Sequence, residues 1–318
     1  MRGRRAQGPW RALPGLALVA LCACATTPQS DPRYQPTRSV LEVVAVLRRH
    51  VPDDTYRFPP ARDFTGRNVY RASLLRLENL ERAYPEALRA GALDDVIAFA
   101  KGRALERLRA YDLAARSYRE AARREGALRM DALRSAALCD ALAEAASLDA
   151  AAAEGGAPAA PEAVMSRFDK RLALLGALAK EAEGTHYAPV VQEEIERADE
   201  ARADYLVDSR RLRPDGDVRA LGALQKLVVD HRESKNANAH LLSLADLYAQ
   251  LAQEYVAANP PESLGFDPPH FEELTESATR LYEAVSNQDG APEKLAAVQR
   301  LEGFLAFTLK VDRDRFTR

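Results

Sequence analysis

The sequence is poor in the residues that build the commoner kinds of site. Its three cysteines are Cys22, Cys24 and Cys139; two fall at the N-terminal end and one within an expected helix, so neither a disulfide framework nor a metal-binding cysteine pair can be drawn from them. Cys139, beside Leu138 and Ala141, reads as a small buried apolar residue. There is one Trp and little Ile, and the 47% hydrophobic content is dominated by Ala and Leu, which points away from a β-branched sheet protein and towards helices. An excess of basic charge is missing too. The formal net charge is -2, and once the four arginines of the first 23 residues are set aside, 41 basic residues face 47 acidic ones. Arg is interleaved with Glu and Asp along the chain, whereas a duplex binder needs a clustered basic face to release counterions, so nucleic acid is not an expected partner. Runs such as Arg123-Arg124 and Arg210-Arg211 read as solvated helix faces.

Catalytic signatures are equally scarce. There is no G-x-S-x-G, H-E-x-x-H, G-x-x-x-x-G-K-[ST] or G-x-G-x-x-G, the spacings that place a nucleophile, a zinc ion or a phosphate. None of the five histidines, His50, His186, His231, His240 and His270, has metal-ligand spacing. His231 between Asp230 and Glu233 is the densest grouping, and it reads as a helix C-terminus, where the dipole favours a cation. Glu193, Glu194 and Glu196 could suggest acid-base carboxylates, but they alternate with Arg197, Asp199 and Arg202 in the pattern of an exposed, salt-bridged helix face. The expectation is a protein that is not an enzyme and carries no cofactor and no metal.

What is present begins with the leader. Four arginines occupy residues 1–11 and an apolar stretch fills residues 12–23, the layout of a secretory signal. The stretch stops at Thr26-Thr27-Pro28, short of the roughly 20 residues needed to span a bilayer. Leu21-Cys22-Ala23-Cys24 resembles the lipobox of bacterial lipoproteins, which implies cleavage after Ala23 and acylation of Cys24. Cys22 is the competing site, disfavoured by the bulk of Leu21 before it; the other reading is an ordinary signal peptide with incidental cysteines. Multiple acyl chains hold a protein at a membrane without a spanning helix. Ala25 in place of Asp implies, by the same resemblance, the outer membrane, with the chain lipid-anchored and facing the periplasm.

Beyond the leader, residues 24–36 read as a proline-containing lipidated tether. Helical periodicity then predicts helices at about 38–50, 66–83, 92–109, 111–124, 127–149, 161–183, 187–211, 215–231, 236–258, 270–287 and 291–309, with no strand. A Gly/Ala/Pro-rich linker at 154–161 divides an N-terminal helical region, 37–153, from a C-terminal one, 162–318. Asn259–Pro269 is a second, longer loop.

Two windows resemble tetratricopeptide repeats, whose period is about 34 residues. With Ala98 as the fourth position, Gly102, Leu105, Tyr111, Ala114, Tyr118 and Ala121 occupy the small and large consensus positions. Ala98, Arg109 and Gly126 depart from the pattern, replacing an aromatic, the turn glycine and a proline. In the second window Leu241, Leu244, Ala245 and Tyr248 open a repeat whose partner helix resumes near Phe271. A generic helical hairpin remains the alternative for both. The resemblance implies an all-α fold of antiparallel helical hairpins stacked as a tetratricopeptide-like solenoid. It implies a partner-binding groove lined by Phe99, Arg103 and Glu106, with Leu242, Asp246 and Ala249 as counterparts in the second window. The function so implied is a lipid-anchored adaptor that binds a protein partner in an envelope complex. The alternative is a helical lipoprotein that binds a small ligand for a transport system.

Overall fold

The computed structural model describes residues 35–48, 69–148 and 160–316. Cys24, the leader, residues 24–34 of the tether, His50 and most of the 154–161 linker lie outside the described residues. Among the described residues the chain is all-helical and has no strand. The helices are α1 (Pro36–Arg48), α2 (Val69–Ala83), α3 (Pro85–Ala90), α4 (Asp94–Arg107), α5 (Tyr111–Ala121), α6 (Arg129–Ser147), α7 (Pro161–Ala182), α8 (Ala188–Asp208), α9 (Gly216–Asp230), α10 (Ala237–Ala258), α11 (Pro268–Ser286) and α12 (Lys294–Phe316). No described helix is long and apolar enough to cross a membrane.

Local chemistry explains many of the boundaries. Pro85, Pro161, Pro189 and Pro268 stand in the first turns of α3, α7, α8 and α11, where a missing N–H costs nothing. Asp94 and Asp95 open α4 and Arg107 closes it, in the sense the helix dipole favours. In α5 the buried residues Tyr111, Ala114, Ala115, Tyr118 and Ala121 recur at helical spacing. Periodicity missed the short α3, which Pro85 initiates, and ended α12 too early, because Val311 continues its buried stripe. It also carried α8 too far: a 3-10 turn, Arg210–Leu212, follows Asp208 and leads into α9. Gly216 is required at that junction, since a Cβ there would lie 1.7 Å from the Arg210 carbonyl oxygen.

From α4 to α12 each helix packs against the next in sequence, while α1 and α2 pack on each other and on α4, and α3 packs on α1 and α2. The apolar core is correspondingly a chain of overlapping clusters. One joins α1–α4 through Val40, Leu77 and Ile97, one joins α5–α8, one joins α8–α10 through Ala203, Leu224 and Leu247, and one joins α10–α12 through Phe271, Tyr282 and Phe304. The second of these contains Tyr118 and Cys139 from before the 154–161 linker and Leu175 and Val191 from after it. The linker therefore interrupts the sequence without interrupting the packing. The Asn259–Pro269 loop is held down by Phe266, whose ring lies 5.6 Å from Tyr255 and 5.5 Å from Phe271.

Candidate functional site

Among the described residues, three glutamates are buried in the interior and hold hydrogen-bonded polar clusters. Glu106 projects from α4, and Glu194 and Glu196 from α8. Burial alone costs a carboxylate several kcal/mol, so what each meets decides its state.

Glu194 is 2% exposed and accepts hydrogen bonds from several donors. Arg109 approaches in fork geometry, Nε at 2.7 Å and Nη2 at 3.0 Å, while the Tyr111 hydroxyl and Arg197 Nη1 each donate at 2.7 Å. The buried Arg171 of α7 reaches the same carboxylate at 3.5 Å. Burial pushes the Glu194 pKa up, but the hydrogen bonds and charges of Arg109, Arg197 and Tyr111 outweigh it and hold it below the usual carboxylate value. Next to it, Glu193 receives Arg107 at 3.2 Å and Lys235 at 3.3 Å. The α4–α5 turn, α7 and α8 are thereby tied together. Arg109, in the α4–α5 turn, adopts a left-handed backbone with φ 61°.

Glu106 is 1% exposed and has fewer donors: Tyr118 Oη at 2.8 Å, Arg103 Nη1 at 3.3 Å and the Cys139 thiol at 4.0 Å. Burial raises its pKa, and Arg103, Tyr118 and Arg107 only partly oppose the rise. The same pocket pushes the Tyr118 hydroxyl and the Cys139 thiol up, first by burial and then through Glu106. Cys139 is thus an inert buried thiol.

Glu196 faces the other way, towards α9 and α10. It accepts from His240 Nε2 at 2.8 Å, Ser234 Oγ at 2.6 Å and Asn236 Nδ2 at 3.2 Å, and these bonds bring its pKa down against burial, which raises it. His231 pairs with Asp199 at 3.0 Å. Both imidazoles are thus engaged by carboxylates, and among the described residues no group of three His, Cys, Asp or Glu side chains could hold a metal ion.

Of the residues assigned to a groove, Glu106, Leu242 and Ala249 are buried, Phe99 and Arg103 are partly buried, and the Asp246 side chain is 44% exposed. Phe99 meets Tyr118 edge-on at 5.1 Å; Arg103 and Glu106 hold each other; Leu242 and Ala249 are buried in the C-terminal core; Asp246 accepts from Tyr282 and Arg300, both at 2.6 Å. Glu106 and Leu242 in particular offer no open surface, because neighbouring helices cover those faces. The assigned repeat positions are compact. A Cβ at Gly102 would come within 2.7 Å of the Tyr118 ring; Ala114, Ala121 and Ala245 are buried; Leu105, Leu241 and Tyr248 are half-buried against the cores; Leu244 is buried. The sequence reading missed Glu194 and Glu196, taken for surface residues. The signal was there: Val191, Glu194 and Ala198 share one face of α8, so Glu194 stands in an apolar slot of the helical period. No protein-family model matches the chain, and no curated protein matches it.

Proposed function

We propose that the protein is a lipid-anchored adaptor at the periplasmic side of the outer membrane. In this reading Cys24 carries the acyl chains, the helices stack as a tetratricopeptide-like solenoid, and the stack holds a protein partner within an envelope complex. The observation that carries the reading is the packing order. Each helix from α4 onward rests on the next in sequence, with Gly102, Ala114 and Ala278 giving up side-chain volume inside the hairpins, as stacked repeats require. The enclosure of Glu106, Glu194 and Glu196, which engage this chain's own side chains, supports holding rather than chemistry. Partner contact belongs on the outer apolar side chains, such as Leu113 of α5 and Met130 and Leu133 of α6, each about half or more exposed or close to it.

Two measurements test the reading. Radioactive palmitate should label the wild-type chain, and Cys24→Ser should abolish labelling and shift the protein out of the detergent phase. A Cys24→Ser variant that is still processed and still membrane-bound would defeat the anchor. A photocrosslinking residue at Leu133 should then capture a discrete envelope protein from cells making the wild-type chain and not from cells making Cys24→Ser; equal capture from both would defeat the anchored adaptor.

A further inference from the structure

At one end of the stack the turns carry apolar side chains that no described helix covers. The C-termini of α8 and α10 and the N-termini of α9 and α11 meet there, because successive helices run in alternating directions. Ion pairs tie this end together. Arg210 and Arg211, in the turn after α8, both donate to Glu254 near the end of α10, and Arg210 also donates to Asp217 in the first turn of α9 at 2.6 Å. From these turns project Leu264, 103% exposed, Leu212, 75%, and Val218, 74%. They are the three most exposed large apolar side chains among the described residues, and each comes from a different element: the 259–267 loop, the 3-10 turn and the start of α9.

The exposure is built in and is not the result of a slack loop. The Ser263 N–H donates to the Pro260 carbonyl at 2.8 Å, Asn259 Nδ2 to the Tyr255 carbonyl at 3.4 Å, and the Asp267 N–H to the Tyr255 hydroxyl. Phe266, stacked on Tyr255 and Phe271, also carries the Arg315 guanidinium 5.4 Å from its ring centre. A loop so fixed, and longer than most helix connections, holds Leu264 in water, where burial would be favourable. Leu212 stands likewise on a turn fixed by the Arg210 ion pairs and by the close approach of Gly216.

The surroundings of these tips select what can cover them. Arg211 and Arg213 flank Leu212, and Asp217 and Arg219 flank Val218, so the tips do not extend into the continuous apolar centre that a protein interface buries. Arg211 and Arg213 answer Glu254 and Glu162, which leaves no excess charge for a strongly charged partner. Separate aliphatic points on a fixed rim suit a fluid surface, where each reaches acyl carbon while the polar groups between them stay among headgroups.

We propose that this end of the protein rests on a phospholipid bilayer, with Leu212, Val218 and Leu264 dipping into the acyl boundary. The inference rests on the anchored reading, which brings the bilayer near. Three aliphatic tips alone hold a protein to a membrane weakly, whereas a chain tethered through Cys24 meets the surface at high effective concentration. The contact sets which end of the helical stack faces the lipid.

The test couples the processed chain, beginning at Cys24, to phosphatidylcholine vesicles through a maleimide-headgroup lipid, so it does not depend on acylation in cells. Cys139, the other cysteine of that chain, is fully buried and does not compete. The one tryptophan, Trp10, falls in the leader, so Leu264→Trp, Val218→Trp and Val229→Trp each carry a single fluorophore. Val229, also exposed, lies at the far end of α9 from Val218 and is the control. Brominated acyl chains should quench Leu264→Trp and Val218→Trp, with emission shifted to the blue, and should leave Val229→Trp unchanged. Adding Leu264→Asp should weaken the quenching of Val218→Trp severalfold. Equal quenching at all three positions, or none at Leu264 or at Val218, would overturn the proposal. So would blue-shifted emission before any vesicle is added, which would mean that a second copy covers this end. A chain that takes no palmitate in cells yet shows this pattern on vesicles loses the anchor and keeps the lipid-facing end; palmitate labelling without the pattern does the reverse.

Discussion

The surroundings of Glu106 and of Glu194 differ in one respect that sets their chemistry apart. Both carboxylates are closed off from water, and both lie where helices cross. Around Glu194 the chain gathers Arg109, Arg197, Arg171 and the Tyr111 hydroxyl; around Glu106 it supplies Tyr118 and one arginine contact at 3.3 Å. The pKa of the first falls and that of the second rises. Depth of burial therefore does not determine the charge state of a buried acid; the number and geometry of its donors do.

The sharpest way to break this contrast is to neutralise each acid in turn. Glu194→Gln should cost about 3–5 kcal/mol at neutral pH, because it strands several guanidinium groups in the interior. Glu106→Gln should be near neutral or stabilising, since it removes a charge the site holds poorly. Equal losses in chemical denaturation would show that the two sites are alike after all. Next in size is Arg109→Gly. It relieves a left-handed backbone worth about 1–2 kcal/mol, but it removes two charge-assisted hydrogen bonds, so a net loss of about 2 kcal/mol is expected. A gain would mean that the turn, and not the ion pair, decides that residue.

Gly102→Ala should cost about 1–2 kcal/mol, overpacking against the Tyr118 ring exceeding the gain in helix propensity. The displaced ring would also pull its hydroxyl from Glu106, so Gly102→Ala combined with Tyr118→Phe should fall short of additivity. The smallest effect is in pH. The folded-state pKa of Glu194 is depressed, so its contribution is present above the ordinary carboxylate value of about 4.5 and is lost as pH falls below it. The folded-state pKa of Glu106 is raised, so its contribution is greatest below that value and declines as pH climbs through the folded one. The stability gap between wild type and Glu106→Gln should therefore narrow as pH is lowered from 7 towards 5. A gap that widens would reverse the assignment.

Much of the architecture was legible in the sequence, because helices declare themselves by a local period. Tyr111, Ala114, Tyr118 and Ala121 share a face whatever lies elsewhere in the chain. Gly102 was equally readable, since a mid-helix glycine invites a close neighbour, and the Tyr118 ring is that neighbour. The interior polar network was not legible. Glu194 and Arg197, three residues apart, look like a surface pair, and the burial of Glu194 depends on Arg109 and Tyr111, more than 80 residues away in sequence. The burial of Glu106 and Leu242, expected at a groove surface, escaped for a related reason. A repeat register says which side chains point inward, but it does not say that α8 and the α4–α5 turn come close enough to exchange Arg107 and Glu193 across that space.

Arg109 has a consequence for the order in which the molecule assembles. A turn closed by glycine completes its hairpin with local contacts. Here the α4–α5 turn is closed by a residue whose backbone is unfavourable and whose compensation, Glu194, comes 85 residues later. Contacts of such sequence separation slow folding, because loop-closure entropy is lost before the contact forms. A chain emerging from its N-terminus thus holds α4 and α5 in a provisional state until α8 has followed. Completion of the early hairpin is conditional on the late one, and a chain truncated before residue 194 should keep its helices yet leave that turn loose.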